Sequence, residues 1–181
     1  MSDQEIFEKL HELGAGEFAH LNGALINHLR GTYDLLRLWG GSEVLCKAGL
    51  YHAAYGTVGY DKKLFNLEKR GLVKELIGAA SEKIVYLYCA CDRDFFWPQI
   101  GVTEQPIFRD RVSGEEYVVG GDLLKSFCEL TVANELEIAR GSDAFVREHG
   151  TGLRSLFARM KPYLSTQAYD SFVKILGETD A

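Results

Sequence analysis

Apolar residues recur at helical spacing along most of the chain, and this pattern predicts an all-α fold. The longest stripe, with a period near 3.6 residues, runs from about Glu17 to Trp39 and ends at Gly40 and Gly41. Further helical patterns cover residues 3–14, 43–55, 66–78, 79–91, 122–140 and 151–162, and a last helix follows Ser165. Because prolines occur only at positions 98, 106 and 162, these stretches are free to be helical.

Side chains that can cap helices stand before three of these patterns. Ser42, Asp122 and Ser165 each precede a helical stripe, where a side-chain oxygen can accept from the free N–H groups of the first turn. We therefore expect these three residues to be the N-caps of their helices.

One segment departs from the helical pattern. Between residues 105 and 119, two short runs of β-favouring residues flank the pair Ser113-Gly114, which is typical of a turn. No linker or low-complexity segment divides the chain. The sequence thus predicts a single domain over residues 1–181, with its core in 17–140, C-terminal helices in 150–178 and one small β-hairpin near 105–119.

Three polar residues occupy core-facing positions on three different predicted helices. They are His28, His52 and Asn134. Burying an unpaired polar group costs a few kcal/mol, so each of these side chains needs a partner. We expect the three to line one cavity within roughly 8 Å of one another, where they can serve each other, a metal ion or a ligand.

Both histidines are followed closely by a Gly-Thr pair. Thr32 lies one helical turn after His28, on the same face, whereas Thr57 follows the end of the helix that carries His52 and can meet an anion there. His20 lies about two turns before His28, rotated from it by roughly 80°, so it can reach the mouth of the same cavity. His11 and His149 are expected on the surface.

Charged residues near these motifs suggest an anion site. Arg70 follows the second Gly-Thr pair and suits a clamp for phosphate or carboxylate, and Arg30 and Arg93 are further candidates. Glu82 and Glu135 lie in or near apolar runs, where they can accept from histidine N–H groups or pair with these arginines.

Composition excludes several classes of protein. The net charge of −6 and the pI of about 5.4 argue against nonspecific nucleic-acid binding. No apolar run approaches the length that spans a bilayer, and the acidic start of the chain lacks a signal-peptide pattern. The four cysteines, at positions 46, 89, 91 and 128, are expected to be small buried hydrophobes of a cytoplasmic protein. No GxSxG, Walker, GxGxxG or HExxH motif is present.

The order of the polar motifs resembles a known superfamily. The matching runs are HLRGTYDLLRLWG from His28, AGLYHAAYGT from Ala48 and ANE from Ala133. Over about residues 17–140 they resemble the HD-domain superfamily of metal-dependent phosphohydrolases and di-iron oxygenases, and most closely an uncharacterised bacterial branch known as a domain of unknown function. The resemblance implies an all-α, HD-domain-like helical bundle with a polar pocket between the histidine-bearing helices.

The chain departs from the superfamily pattern at two metal ligands. Ala53 follows His52 where the superfamily has an aspartate, and Asn134 stands where a late aspartate completes the site. A metal site here would use His28, His52, Asn134 and His20. A site with two carboxylates fewer than the superfamily site binds hard ions less well. The expected cofactor is one divalent transition metal (Zn²⁺, Fe²⁺ or Mn²⁺), or there is no cofactor.

Three functions remain open at this point. The first is an enzyme of hydrolase or oxygenase type that acts on a small phosphorylated or carboxylated anion, with His28 and His52 as catalytic residues. Its expected substrate-binding residues are Thr32, Tyr55, Thr57, Arg70 and Glu135. The second is a non-catalytic module that binds or senses a small molecule, and the third is an interaction protein whose polar residues fix the core. The expected partner is a small molecule, with no nucleic acid and no membrane, and a homodimer is left open.

Overall fold

The computed structural model describes residues 3–13, 15–17, 19–20 and 23–177. Within these residues the fold is mostly helical, with nine α-helices and a small antiparallel hairpin after the sixth. The predicted fold class, all-α with one small β-hairpin near 105–119, is confirmed.

The helices follow one another with short connections. They are α1 (Asp3–Glu12), α2 (Leu25–Leu38), α3 (Glu43–Tyr51), α4 (Arg70–Ile77), α5 (Ala79–Ala90), α6 (Arg93–Phe96), α7 (Gly121–Gly141), α8 (Asp143–Met160) and α9 (Thr166–Leu176). Single 3₁₀ turns lie at Leu67–Lys69, Trp97–Gln99 and Lys161–Tyr163. Because α6 is short and leads directly into the turn at Trp97, the sequence pattern did not predict it.

The predicted hairpin consists of β3 (Ile107–Arg109) and β4 (Glu116–Val118), which pair in antiparallel register. Its turn is shaped by Asp110, whose carboxylate accepts from the backbone N–H groups of Val112 at 2.8 Å and Ser113 at 3.0 Å. Gly114 then adopts a φ of 78°, a left-handed conformation that suits glycine. These local bonds explain why a hairpin forms between two helical halves.

Two helix starts differ from those predicted. The helix expected from Glu17 begins at Leu25, because β1 (Ala19–His20) first pairs with β2 (Gly23–Ala24). The helix expected near residue 151 begins at Asp143, where the Ser142 hydroxyl caps it by accepting from the Phe145 N–H at 3.2 Å. Glycines at 150 and 152 suggest a break at this point, but buried leucines on α8 keep the helix continuous.

The predicted caps are right at two of the three positions. The Ser42 hydroxyl accepts from the Leu45 N–H, and the Ser165 hydroxyl accepts from the Ala168 N–H, each at 3.2 Å. Asp122 is not a cap, because α7 already begins at Gly121. The Asp122 carboxylate instead lies in the first turn of α7, where its negative charge interacts favourably with the positive end of the helix dipole.

The core is organised around α7, which packs against α2, α3, α5, α8 and α9. Gly49 lets α3 cross α2 closely, since a Cβ at this position would lie 2.4 Å from the Leu36 Cδ1. This crossing brings the end of α3, at His52, beside the first turn of α2, at His28, and α7 packs against both helices. The polar positions of the three helices are therefore directed toward one another.

None of the described helices is both long enough and apolar enough to cross a membrane.

Candidate functional site

The three polar residues singled out in the sequence meet between α2, α3 and α7. The His28 Nε2 lies 3.2 Å from the His52 Nε2 and 2.9 Å from the Asn134 Oδ1. All three side chains are buried, and all three line one cavity of about 710 Å³. The predicted meeting of His28, His52 and Asn134 is thus present in the structure.

Each of these side chains is oriented by a partner on its far side. The His28 Nδ1 pairs with the Glu137 carboxylate, and the His52 Nδ1 bonds the Gly49 carbonyl at 2.7 Å. The Asn134 amide donates to the Glu135 Oε1 at 3.0 Å, so its oxygen faces His28. Glu137 and the Gly49 carbonyl offer acceptor oxygens, so both rings donate from Nδ1. The His28 Nε2 donates to the Asn134 Oδ1 when it carries a proton, and without that proton it offers a lone pair to a ligand at the same place.

Sequence reasoning missed Glu137, which lies on α7 one turn after Asn134. The Glu137 side chain passes over Gly31 of α2 to reach His28. A Cβ added at Gly31 would lie 2.7 Å from the Glu137 Cγ. Glycine at this position therefore lets the carboxylate reach the imidazole. The spacing Asn134-x-x-Glu137 was a usable signal, because residues three apart share a helix face.

We expect Gly31→Ala to displace Glu137 from His28 and to weaken ligand or metal binding at the histidines. Gly71→Ala is the matched control, because an added Cβ there has no heavy atom within 4 Å in the described structure. The control should gain up to about 1 kcal/mol in free energy of unfolding from the better helix former. Gly31→Ala should lack this gain in denaturant titration, and an equal gain with unchanged binding would contradict the role of Gly31.

Arg93 lies between the Glu135 carboxylate and two aromatic rings. Its Nη1 lies 3.5 Å from the Glu135 Oε1, and its guanidinium lies 5.1 Å from the Tyr88 ring and 4.9 Å from the Trp97 ring. Tyr88 in turn packs edge-on against His52, with the ring centres 5.6 Å apart. Burial raises the pKa of Tyr88, so the phenol remains neutral beside the imidazole.

Part of the cavity lining is apolar. It is formed by Ile138 on α7 and by Phe145, Leu153 and Leu156 on α8. His149, expected on the surface, also lines the cavity, with 49% of its side chain exposed. The cavity thus combines a polar floor with an apolar side.

Two of the five predicted substrate-binding residues line the cavity, and the other three lie elsewhere. Thr57 and Glu135 line the cavity. Thr32 does not, because it is buried and donates its hydroxyl hydrogen to the His28 carbonyl at 3.0 Å. Tyr55 and Arg70 are likewise outside the cavity lining in the described structure, and they belong to a separate cluster around Glu82.

The Glu82 cluster consists of Glu82, Tyr55 and Arg70, and it supplies hydrogen-bond donors to the fully buried carboxylate of Glu82. Glu82 accepts from the Tyr55 hydroxyl at 3.0 Å and from two nitrogens of Arg70 at 2.5 and 3.1 Å. The Arg70 guanidinium also lies 3.6 Å from the centre of the Tyr86 ring. Arg70 is therefore engaged in an internal ion pair with Glu82, as one of the expectations for Glu82 had it, and its role as an anion clamp stays a prediction.

His20 cannot be assigned in the same way. Its backbone forms part of β1, but its side chain lies outside the described part of the chain. Its predicted role as a metal ligand stays a prediction.

Part of the chain matches a family model. Residues 9–93 contain a DUF6817 domain, a domain of unknown function. No curated protein and no solved structure matches the chain. The DUF6817 domain contains His28, His52 and Arg93, whereas Asn134, Glu135 and Glu137 come from the chain that follows it.

The histidine centre offers a metal ion two imidazoles from the DUF6817 domain and one amide oxygen from α7. Among the described residues, no group of three or more His, Cys, Asp or Glu side chains is arranged to hold a metal. The donor atoms of His28, His52 and Asn134 nevertheless lie close enough together to share one ion. The carboxylate and carbonyl behind the two rings are the partners that metal-binding histidines usually have.

The cysteines do not contribute nucleophiles. All four thiols are free and buried, and burial raises the pKa of Cys91 to about 12 and raises that of Cys89 and Cys128. A thiol with a raised pKa stays protonated near neutral pH and reacts slowly. None of the four thiols is among the residues that line the cavity in the described structure.

Proposed function

We propose that the protein is an enzyme that acts on a small anionic molecule in this cavity, with His28 and His52 as its catalytic residues. The observation that carries this proposal is the 3.2 Å separation of the two Nε2 atoms, which face the same cavity. Imidazoles are the side chains best suited to exchange protons near neutral pH. A pair of them can remove a proton from water or a substrate hydroxyl and return one to a leaving group.

The surrounding residues have positioning roles in this proposal. Glu137 fixes the plane of the His28 ring, and the Gly49 carbonyl fixes that of His52. Asn134 presents its oxygen to the reacting centre, because its amide nitrogen is held by Glu135. The Tyr88 ring excludes water from the side of His52. A hydrolytic reaction is the type that this set of groups supports best.

The same residues fit a divalent transition metal. His28, His52 and Asn134 would hold it, and imidazole nitrogen suits Zn²⁺ or Fe²⁺ better than the oxygen-preferring Mn²⁺. Such an ion would supply Lewis acidity and an activated water at the histidines.

A relationship to the HD-domain superfamily is part of the proposal. It is supported by the order of the motifs and by the placement of His28, His52 and Asn134 on three packed helices. Ala53 lines the cavity as a buried methyl group at the position where the superfamily has an aspartate. The metal site would therefore be a degenerate form of the superfamily site.

A specific observation favours a second function, a non-catalytic binding or regulatory module. The three atoms that converge at the centre are two imidazole nitrogens and an amide oxygen, with no carboxylate among them. A neutral set binds a divalent ion more weakly than one with carboxylates, so a protein that kept the pocket and lost the reaction would have this composition.

The wider setting of the protein is also proposed. The net charge of −6 favours a small molecule over nucleic acid as the partner, and four free buried thiols suit the reducing cytoplasm. We propose a cytoplasmic location on this basis. A homodimer, which sedimentation velocity would detect, is compatible with the apolar residues exposed on the hairpin.

The test is turnover by protein purified without an affinity tag, with its metal content measured first. Phosphate monoesters and carboxylic esters are supplied with and without added Zn²⁺ or Fe²⁺. We expect turnover that His28→Gln and His52→Gln both lose and that His11→Gln, at an exposed histidine of α1, retains. Folded His52→Gln protein with unchanged turnover would refute the proposal, and saturable binding without turnover would favour the binding module.

A further inference from the structure

A second group of polar residues lines the cavity along α6, the turn after it and α8. In the described part of the chain, four buried side-chain polar atoms lack a hydrogen-bond partner: Tyr88 OH, Arg93 Nε, Trp97 Nε1 and Arg159 Nε. Arg93, Trp97 and Arg159 line the cavity, and Tyr88 contacts Arg93. Since most buried polar atoms are bonded, their concentration at one cavity indicates a ligand-binding function.

Arg159 is the cation of this group that has no carboxylate. Its nitrogens bond the Ser155 hydroxyl at 2.9 Å, the Ser155 carbonyl at 3.2 Å and the Trp97 carbonyl at 3.4 Å. All of these acceptors are neutral, and no ion pair joins Arg159 to another described residue. Arg154 of the same helix likewise bonds neutral acceptors, so Arg159 differs from it in lining the cavity and in having a buried Nε without a hydrogen-bond partner among the described residues.

We infer that Arg93, Trp97 and Arg159 form an anion-binding subsite that holds the carboxylate or phosphate group of the ligand. The inference rests on the proposed function, since it assigns the anionic end of the same ligand. Guanidinium and indole nitrogens only donate hydrogen bonds, so the subsite recognises an acceptor and not a cation. Besides Glu135, the carboxylates of Asp94 and Glu148 line the cavity, but both side chains are exposed, that of Glu148 to 76%, so water screens their charges.

The position of the subsite defines the class of ligand. Glu135 accepts from both Asn134 and Arg93, so Arg93 is one carboxylate removed from the histidine centre. Arg159 lies beyond it, bonded to the Trp97 carbonyl. Three apolar residues of α8, Phe145, Leu153 and Leu156, line the same cavity. The ligand is therefore an organic acid or phosphate with an aromatic or branched aliphatic body, whose reacting group lies at the imidazoles.

Arg154 provides a matched control for Arg159. It lies on the same helix, bonds the Leu176 carbonyl and the Thr151 hydroxyl, and does not line the cavity. The two arginines thus make similar structural bonds, and only one faces the cavity. General destabilisation of α8 would appear in thermal unfolding of both glutamine variants.

The experiment titrates the full chain with benzoate, phenyl phosphate, inorganic phosphate and uncharged benzyl alcohol, at constant ionic strength, by calorimetry and tryptophan fluorescence. At least one anion should bind the native protein and Arg154→Gln with the same affinity. Arg159→Gln should lower that affinity about tenfold or more. Arg159→Lys, which keeps the charge, should retain part of the affinity. Preference for benzoate or for the phosphates identifies the anion that is recognised.

Three results would overturn the inference. They are an anion affinity of Arg159→Gln equal to that of the native protein, binding of benzyl alcohol as tight as that of the anions, and no binding of any anion by the native protein. His52→Gln separates it from the proposed function, because the subsite does not use the imidazole and should keep its anion affinity. Anion binding that depends on His52 and not on Arg159 would refute the subsite alone. Arg159-dependent binding without turnover of any substrate would refute the catalytic proposal and leave the subsite in place.

Discussion

We expect glutamine at position 28 or 52 to abolish the proposed turnover, and any metal binding with it, while changing the free energy of unfolding by less than about 1 kcal/mol. The reason is that His28 and His52 hold their Nε2 atoms 3.2 Å apart with an amide oxygen beside them, an arrangement suited to a ligand and not to packing. Glutamine fills a similar volume and keeps polar atoms in the site, but it cannot reproduce two converging imidazoles. Denaturant titration and metal analysis of both variants measure the two effects separately.

A purely structural role for the histidines predicts a different result. In that case glutamine would keep some hydrogen bonds, and the rest of the damage would be a stability loss of about 1–3 kcal/mol. A clear loss of this size, with metal binding and turnover unchanged, would show that His28 and His52 only fix the core. His11→Gln is the control for the substitution itself, because His11 is exposed on α1.

Removing the carboxylate of Glu82 will have the largest effect on stability. We expect Glu82→Ala to lower the free energy of unfolding by about 3–5 kcal/mol, since breaking a buried ion pair leaves its partner uncompensated. The side chain is fully buried, and both Arg70 and Tyr55 would lose their acceptor. Chemical denaturation measures the effect.

Two further variants sharpen this expectation. Glu75→Ala, at an exposed position of α4, should change stability by less than about 0.5 kcal/mol. Glu82→Gln keeps an acceptor for Tyr55, so its change in the free energy of unfolding should lie between those of Glu82→Ala and Glu75→Ala. A small stability change in Glu82→Ala, together with weaker anion binding, would instead return Arg70 to the substrate-binding role expected from sequence.

The centre of the site was predictable because helical periodicity and polarity disagree there. His28, His52 and Asn134 interrupt apolar stripes, and their burial forces them together. Glu137 does not interrupt an apolar stripe, and its spacing from Asn134 alone is a weak signal, because a glutamate on a partly exposed helix face usually lies in water. Its role depends on the space above Gly31, which exists only once α7 packs on α2.

The residues of the cavity wall were harder to predict for a related reason. Arg70 and Arg159 look alike in sequence, and only the buried Glu82 decides that Arg70 is internally paired. Arg159 becomes a candidate because α8 continues through Gly150 and Gly152, where local propensity predicts an interruption. Tertiary packing thus determines which of the two cations reaches the cavity.

The long separation of the partners of His28 has a consequence for how the protein folds. Its contacts with Asn134 and Glu137 join residues 106 and 109 positions apart along the chain. Contacts that close such large loops carry a high entropic cost and depend on the docking of distant helices. A ligand that requires the assembled centre binds only the native state, so its binding free energy adds to the stability of the whole cooperative unit. Resistance to proteolysis will therefore rise along the entire chain when the site is occupied, including helices far from the cavity.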